Sequence, residues 1–187
     1  MSLPEEERRR LLALLAANSV ERRRVVLASG RESDFYVDCK RTVLTAEGHW
    51  LAGRLLFALT KQLAPQAVGV GGMTMGADPL ASAVSLMSYL AQKPLHAFYV
   101  RKEPKGHGTN RWIEGLHGVP EGAPLAMVED VVTTGASTLK AIERVEEAGY
   151  VVAAVAALVD RQEGGKEALE ARGYRLASLF LKSDFQP

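Results

Sequence analysis

A parallel α/β sheet with helices on both faces is predicted by three observations. Apolar runs of strand length alternate with helix-periodic segments from Thr45 onward, and each run hands over to Gly-rich or charged residues. The longest wholly apolar run, Val151–Val159, is followed at once by Asp160. That run is far short of the roughly 20 apolar residues that span a bilayer, so it reads as a buried strand.

In chain order, Pro4 to Asn18 carries the 3.6-residue periodicity of an amphipathic helix. Arg24–Leu27 and Phe35–Asp38 read as two short strands around Ser29-Gly30-Arg31-Glu32-Ser33. A helix to about Leu63 is followed by a strand at Ala67–Val70, a helix at Ala77–Ala91 and a strand at Leu95–Val100. A loop from about Arg101 to Gly118 precedes a strand at Leu125–Val128. The next helix has Leu139, Ile142 and Val145 on one face and Gly149 as its stop. The strand Val151–Val159, a short helix near Lys166–Ala171 and a strand near Ser178–Leu181 complete the chain.

At 187 residues this is one domain, residues 1–187, with about 1–44 as a small N-terminal appendage and about 101–118 as a loop. Lys and Arg number 23 against 22 Asp and Glu, a formal net charge of +1, which gives no global drive toward nucleic acid or an anionic membrane. The single Cys39 excludes an internal disulfide framework and reads as a small buried residue rather than a nucleophile. No signal-like segment opens the sequence, and a cytoplasmic protein is expected.

Ligands of open α/β sheets gather at the carboxyl ends of the strands. Here those ends lead into Gly71-Gly72-Met73-Thr74-Met75-Gly76, Arg101-Lys102-Glu103-Pro104-Lys105-Gly106-His107-Gly108, Glu129-Asp130 and Asp160-Arg161-Gln162-Glu163. Phosphate donors, cations, an acidic pair and an arginine therefore share one edge.

Within Leu125–Thr138 the apolar strand is expected to stop at Glu129 and Asp130. Side chains alternate along a strand, so both carboxylates meet one ligand only if the chain turns there. Thr133, Thr134, Gly135 and Ser137 supply a permissive backbone and cap candidates at a helix start, a cradle for an anion, while the carboxylates suit sugar hydroxyls. The combination fits a sugar phosphate. The competing reading is an acidic pair that merely caps or solvates a loop.

This segment resembles the phosphoribosyl pyrophosphate (PRPP) motif of the type I phosphoribosyltransferases. The run Arg101 to Gly108 is similar to the catalytic lid of orotate phosphoribosyltransferases, with its Arg-Lys-x-x-Lys-x-His-Gly pattern. Leu27–Ser33 with Phe35–Asp38, the Gly71–Ala77 pyrophosphate loop and Asp160–Glu163 extend the resemblance over nearly the whole chain. Ala28 and Met75 depart from it, standing where some members carry lysine, with Arg31 a candidate to replace the first.

The resemblance implies the type I fold with an N-terminal hood and a lid, and magnesium-dependent transfer of the phosphoribosyl group from PRPP to orotate. It assigns catalysis to Lys102, Lys105 and His107, acting across a homodimer interface. PRPP contacts fall to Arg101, Lys102, Lys105 and His107, and to Glu129, Asp130, Val131, Val132, Thr133, Thr134, Gly135, Ala136 and Ser137. Mg²⁺ is carried by the pyrophosphate of PRPP, with no direct protein ligand. Thr133 and Arg161 would hold orotate, because an arginine fork matches the carboxylate that other bases lack. An ion pair of Arg161 with Asp160 or Glu163 is the competing reading, and a purine phosphoribosyltransferase or a PRPP-sensing nucleic-acid regulator are the rival functions.

Overall fold

The computed structural model describes residues 4–21, 25–26, 32–33, 35–103 and 112–185. Helix α1 (Glu5–Asn18) starts with Glu5, Glu6 and Glu7, which suit the positive end of a helix, and buries Leu11 and Leu15. Two antiparallel pairs follow: β1 (Val20–Glu21) with β4 (Tyr36–Val37), and β2 (Val25–Val26) with β3 (Glu32–Ser33). The expected strands at 24–27 and 35–38 thus each have a partner that periodicity did not reveal. The short helix α2 (Lys40–Val43) was likewise unforeseen. Helix α3 (Ala46–Leu63) is capped by Thr45, whose side chain accepts from Gly48 N at 3.1 Å.

The remaining elements are β5 (Gly69–Met73), α4 (Asp78–Leu90), β6 (His96–Val100), β7 (Ile113–Gly115), β8 (Pro124–Val132), α5 (Ala136–Glu147), β9 (Val151–Asp160), α6 (Gly165–Glu170) and β10 (Leu176–Leu181), with a final 3₁₀ turn at Lys182–Phe185. They form a sheet of order β10-β9-β8-β5-β6-β7, parallel except for β7. The predicted parallel α/β class holds.

Central β8 explains how the layers assemble. Ala126 and Val128 pack with Leu55, Leu80 and Val84 of α3 and α4, while Leu125 and Met127 pack with Ile142 and Val145 of α5. A strand covered on both faces reads as a continuous apolar run for this reason. Gly149, at φ +86°, follows α5, and Tyr150 N closes onto Val145 O at 3.2 Å, the expected glycine stop.

Three expectations are corrected. β8 does not end at the acidic pair: Val131 pairs with Val159 and Val132 with Asp160, because two β-branched residues extend the ladder. Gly71 and Gly72 belong to β5, paired with Phe98 and Tyr99, so the loop begins at Thr74. A Cβ on either glycine would come within 2.2 Å of a neighbouring carbonyl oxygen, Phe98 O or Val128 O, which explains glycine in a fully buried strand. The expected 101–118 loop contains β7, antiparallel to β6. It carries the chain back toward the amino ends of the parallel strands and takes His117 and Gly118 away from the edge where the other motifs lie.

Candidate functional site

The carboxyl ends of β5, β6, β8 and β9 bring Thr74–Gly76, Arg101–Lys102, Thr133–Ser137 and Arg161 to one edge. Lys105 and His107, with Arg31 and Ala28, lie outside the described residues.

Along β8, Glu129 follows Met127 toward α5, where Thr138 Oγ1 donates to Glu129 Oε2 at 2.9 Å. Burial, followed by the negative charge of Asp130, pushes the Glu129 carboxyl from its ordinary 4.5 up to about 8. Asp130 turns to the α4 side: its Oδ1 accepts from Val131 N at 2.9 Å, and a Cβ on Gly76 would lie 2.4 Å from that oxygen. Gly76 is therefore glycine because a carboxylate occupies the space beside it. The strand's continuation does not separate the acids electrostatically, since the charge of one still acts on the other.

Val132 is buried, and its carbonyl accepts from Arg161 N at 2.9 Å, while Val131 is half-buried. Neither valine offers a polar side chain to a ligand. Thr133 and Thr134 are half-buried, Gly135 adopts φ +78°, and Ala136 and Ser137 are exposed at the start of α5. No side chain caps that helix, contrary to the expectation from Thr133, Thr134 and Ser137. Its first amides lack an internal acceptor, as at any helix start. Gly165 seals the loop from behind: a Cβ there would meet Thr133 O at 2.7 Å and Gly135 N at 3.1 Å.

Arg101 is engaged by Glu114 of β7, with Nε and Nη2 at 3.0 and 2.9 Å from Oε1, whereas Lys102 is exposed. Arg161 is 5% exposed, and its Nη2 lies 2.9 Å from both Glu163 Oε1 and Phe35 O. The ion pair considered from sequence is thus present, but in a buried setting.

Sequence reasoning missed three participants. Thr138 holds Glu129. Cys39 places its Sγ 3.7 Å from Asp130 O, and burial raises its thiol well above the usual range, with the charge of Asp130 adding to the effect, as suits a structural thiol. Lys40 bonds Asp38 Oδ1 at 2.7 Å. That hydrogen bond raises the lysine's pKa against the opposing effect of burial, and the Asp130 carboxylate adds to the rise, so a cation stands near the acidic pair. The signal for Lys40 was only its place two residues after the Phe35–Asp38 motif. Among the described residues no group of three or more His, Cys, Asp or Glu side chains could hold a metal ion, and no helix is long and apolar enough to cross a membrane.

No family model matches the chain. It is 55% identical over 181 residues to the orotate phosphoribosyltransferase of Sorangium cellulosum, covering 97% of this chain and 94% of that one. Among solved structures, it is similar to Mycobacterium tuberculosis H37Rv orotate phosphoribosyltransferase in complex with Fe(III) dicitrate, with TM-score 0.82 and 41% identity over 97% of this chain and 99% of that one. The same enzyme in complex with PRPP matches with TM-score 0.78 and 38% identity, covering 96% and 98%.

Proposed function

Since the chain belongs to the orotate phosphoribosyltransferase family and transfers the phosphoribosyl group from PRPP to orotate, giving orotidine 5′-monophosphate and pyrophosphate in pyrimidine biosynthesis, we propose how its own residues divide that work. The observation that carries the assignment is the placement of Glu129 and Asp130 near the carboxyl end of the central strand, whose last residues, Val131 and Val132, lead through Thr133–Gly135 into the uncapped start of α5.

Thr133 to Ser137 hold the 5-phosphate through backbone amides and hydroxyls. Glu129 and Asp130 accept from the ribose 2′- and 3′-hydroxyls, and Thr74–Gly76 lies along the pyrophosphate. Arg161, with Thr133, orients orotate so that N1 faces the ribose C1. The bond from C1 to pyrophosphate breaks ahead of the bond to N1, so positive charge grows at C1 and the ring oxygen while negative charge grows on the leaving group. Lys102, Lys105 and His107 stabilise that negative charge, with Lys105 or His107 as proton donor to the pyrophosphate.

Mg²⁺ fits as a passenger of PRPP: hard carboxylate oxygens stand beside the ribose site, and the ion when bound neutralises pyrophosphate charge. The acting unit in this proposal is a homodimer in which the lid of one subunit completes its neighbour's site, supported by the Arg101–Gly108 pattern and the exposure of Lys102. We place it in the cytoplasm, where membrane-impermeant PRPP is available.

Incubation with PRPP, Mg²⁺ and orotate should consume orotate absorbance in step with pyrophosphate release. Consumption of adenine, guanine or hypoxanthine instead would overturn the acceptor assignment.

A further inference from the structure

Arg161 follows the last residue of β9, and the turn after it folds Glu163 back onto the guanidinium. Gln162 adopts φ +57°, its N–H donates to Asp160 Oδ1 at 2.8 Å, and Gly164 follows at φ +92°. The result is a buried ion pair, with side chains 6% and 17% exposed. A guanidinium presents its N–H groups in fixed directions. Both edges able to hold a carboxylate by two bonds include Nη2, one with Nε and the other with Nη1. Both protons of that Nη2 face acceptors here, Phe35 O and Glu163 Oε1, each at 2.9 Å. An incoming carboxylate gains a two-point grip only by removing one of them. Phe35 O is main chain of a buried residue, whereas Glu163 is a side chain carrying the same charge as the newcomer.

We propose that Glu163 is a specificity-determining residue that occupies the place of the acceptor base's carboxylate on Arg161 and exchanges with it when the base binds. This rests on the reading of Arg161 as the group that holds the orotate carboxylate. A buried guanidinium left without a counter-charge is strongly destabilising, and Glu163 provides one when no carboxylate-bearing base is bound. A pyrimidine lacking the carboxylate leaves the pair intact and gains nothing from Arg161. Recognition of orotate is then a difference between two ion pairs, which keeps the empty site stable at the expense of affinity.

The test compares Glu163→Gln, Glu163→Asp and Arg161→Gln with the parent enzyme in the presence of Mg²⁺, reading the KM for orotate and inhibition by uracil at saturating PRPP, and the KM for PRPP at saturating orotate. Removing a competing charge-assisted bond should lower the orotate KM of Glu163→Gln on the order of tenfold. PRPP KM and uracil inhibition should not move, and Glu163→Asp, with its carboxylate drawn back, should fall between parent and Gln. If Glu163→Gln folds poorly, a lowered orotate KM in Glu163→Asp supports the exchange equally. An orotate KM that rises or stays fixed in the Glu163 variants while Arg161→Gln raises it would show that Glu163 merely orients the arginine, and the exchange fails. An orotate KM unmoved by Arg161→Gln would remove the carboxylate role of Arg161 itself, and the exchange with it.

Discussion

Thr138 Oγ1 donates a 2.9 Å hydrogen bond to Glu129 Oε2, joining the first acid of β8 to the helix that opens after Thr133–Gly135. Both residues are buried, at 1% and 5% exposure, so the contact fixes where the carboxylate points. Thr138→Val keeps the shape and removes the donor. Above pH 8, where Glu129 is charged, a hydrogen bond to it contributes about 1.5–3 kcal/mol, so the KM for PRPP measured there should rise on the order of tenfold, with the orotate KM little changed. Steady-state kinetics with each substrate varied decides this, and an unaltered PRPP KM would show that Glu129 needs no such anchor.

Glu129 also sets a pH dependence. It titrates near 4.5 in the unfolded chain and at about 8 in the folded one, so between those values the folded state holds a proton that the unfolded state has lost. Its contribution to stability is complete below about 4.5 and is lost as pH rises through 8. Glu129→Gln, neutral throughout, should melt above the parent at pH 9, by a margin that shrinks toward pH 5. Parallel melting profiles of ligand-free protein across that range would refute the shift.

Gly76→Ala tests the close approach of the 74–76 loop to Asp130. The added methyl meets Asp130 Oδ1 at 2.4 Å, and overpacking of this kind costs about 1–3 kcal/mol. Because the carboxylate is the group that must give way, PRPP binding should weaken more than overall stability falls. Calorimetric titration with PRPP and Mg²⁺ beside a thermal melt separates the two.

Lys105→Ala should lower turnover by about 10² to 10³, the usual cost of one preorganised electrostatic donor, while weakening orotate binding far less. Mixing Lys105→Ala subunits with Asp130→Asn subunits should restore activity, since one site of a mixed dimer would be intact. No recovery despite confirmed mixing would confine the lid to its own subunit.

The sequence made the layered α/β arrangement readable because β8 and β9 are apolar on both faces and the helices between strands keep their period. Its limits are equally physical. Val131 and Val132 continue a strand past two charges because β9 offers them partners, and that pairing is invisible without the neighbour. The three residues of β7 sit in a Gly-rich basic stretch and are strand only through their bonds to β6. Cys39 and Lys40 reach the acidic pair across 90 or so positions of chain, the kind of contact that no local pattern encodes. Glu163 was legible as a partner of Arg161, since both lie in one short turn. What could not be read was its burial, which turns a surface pair into an occupant of the arginine's fork.

The antiparallel pairing of Val100 with Ile113 gives the intervening segment a fixed mouth. Twelve residues, 101 to 112, separate these two paired positions in the sequence, so the middle of that span is about six residues of chain from either strand. At about 3.3–3.6 Å per extended residue, that point reaches about 20 Å. If Lys105 or His107 serves a neighbouring acidic pair, that pair must lie within this radius plus one side-chain length of the β6–β7 ends, a bound on subunit packing that comes from one short edge strand.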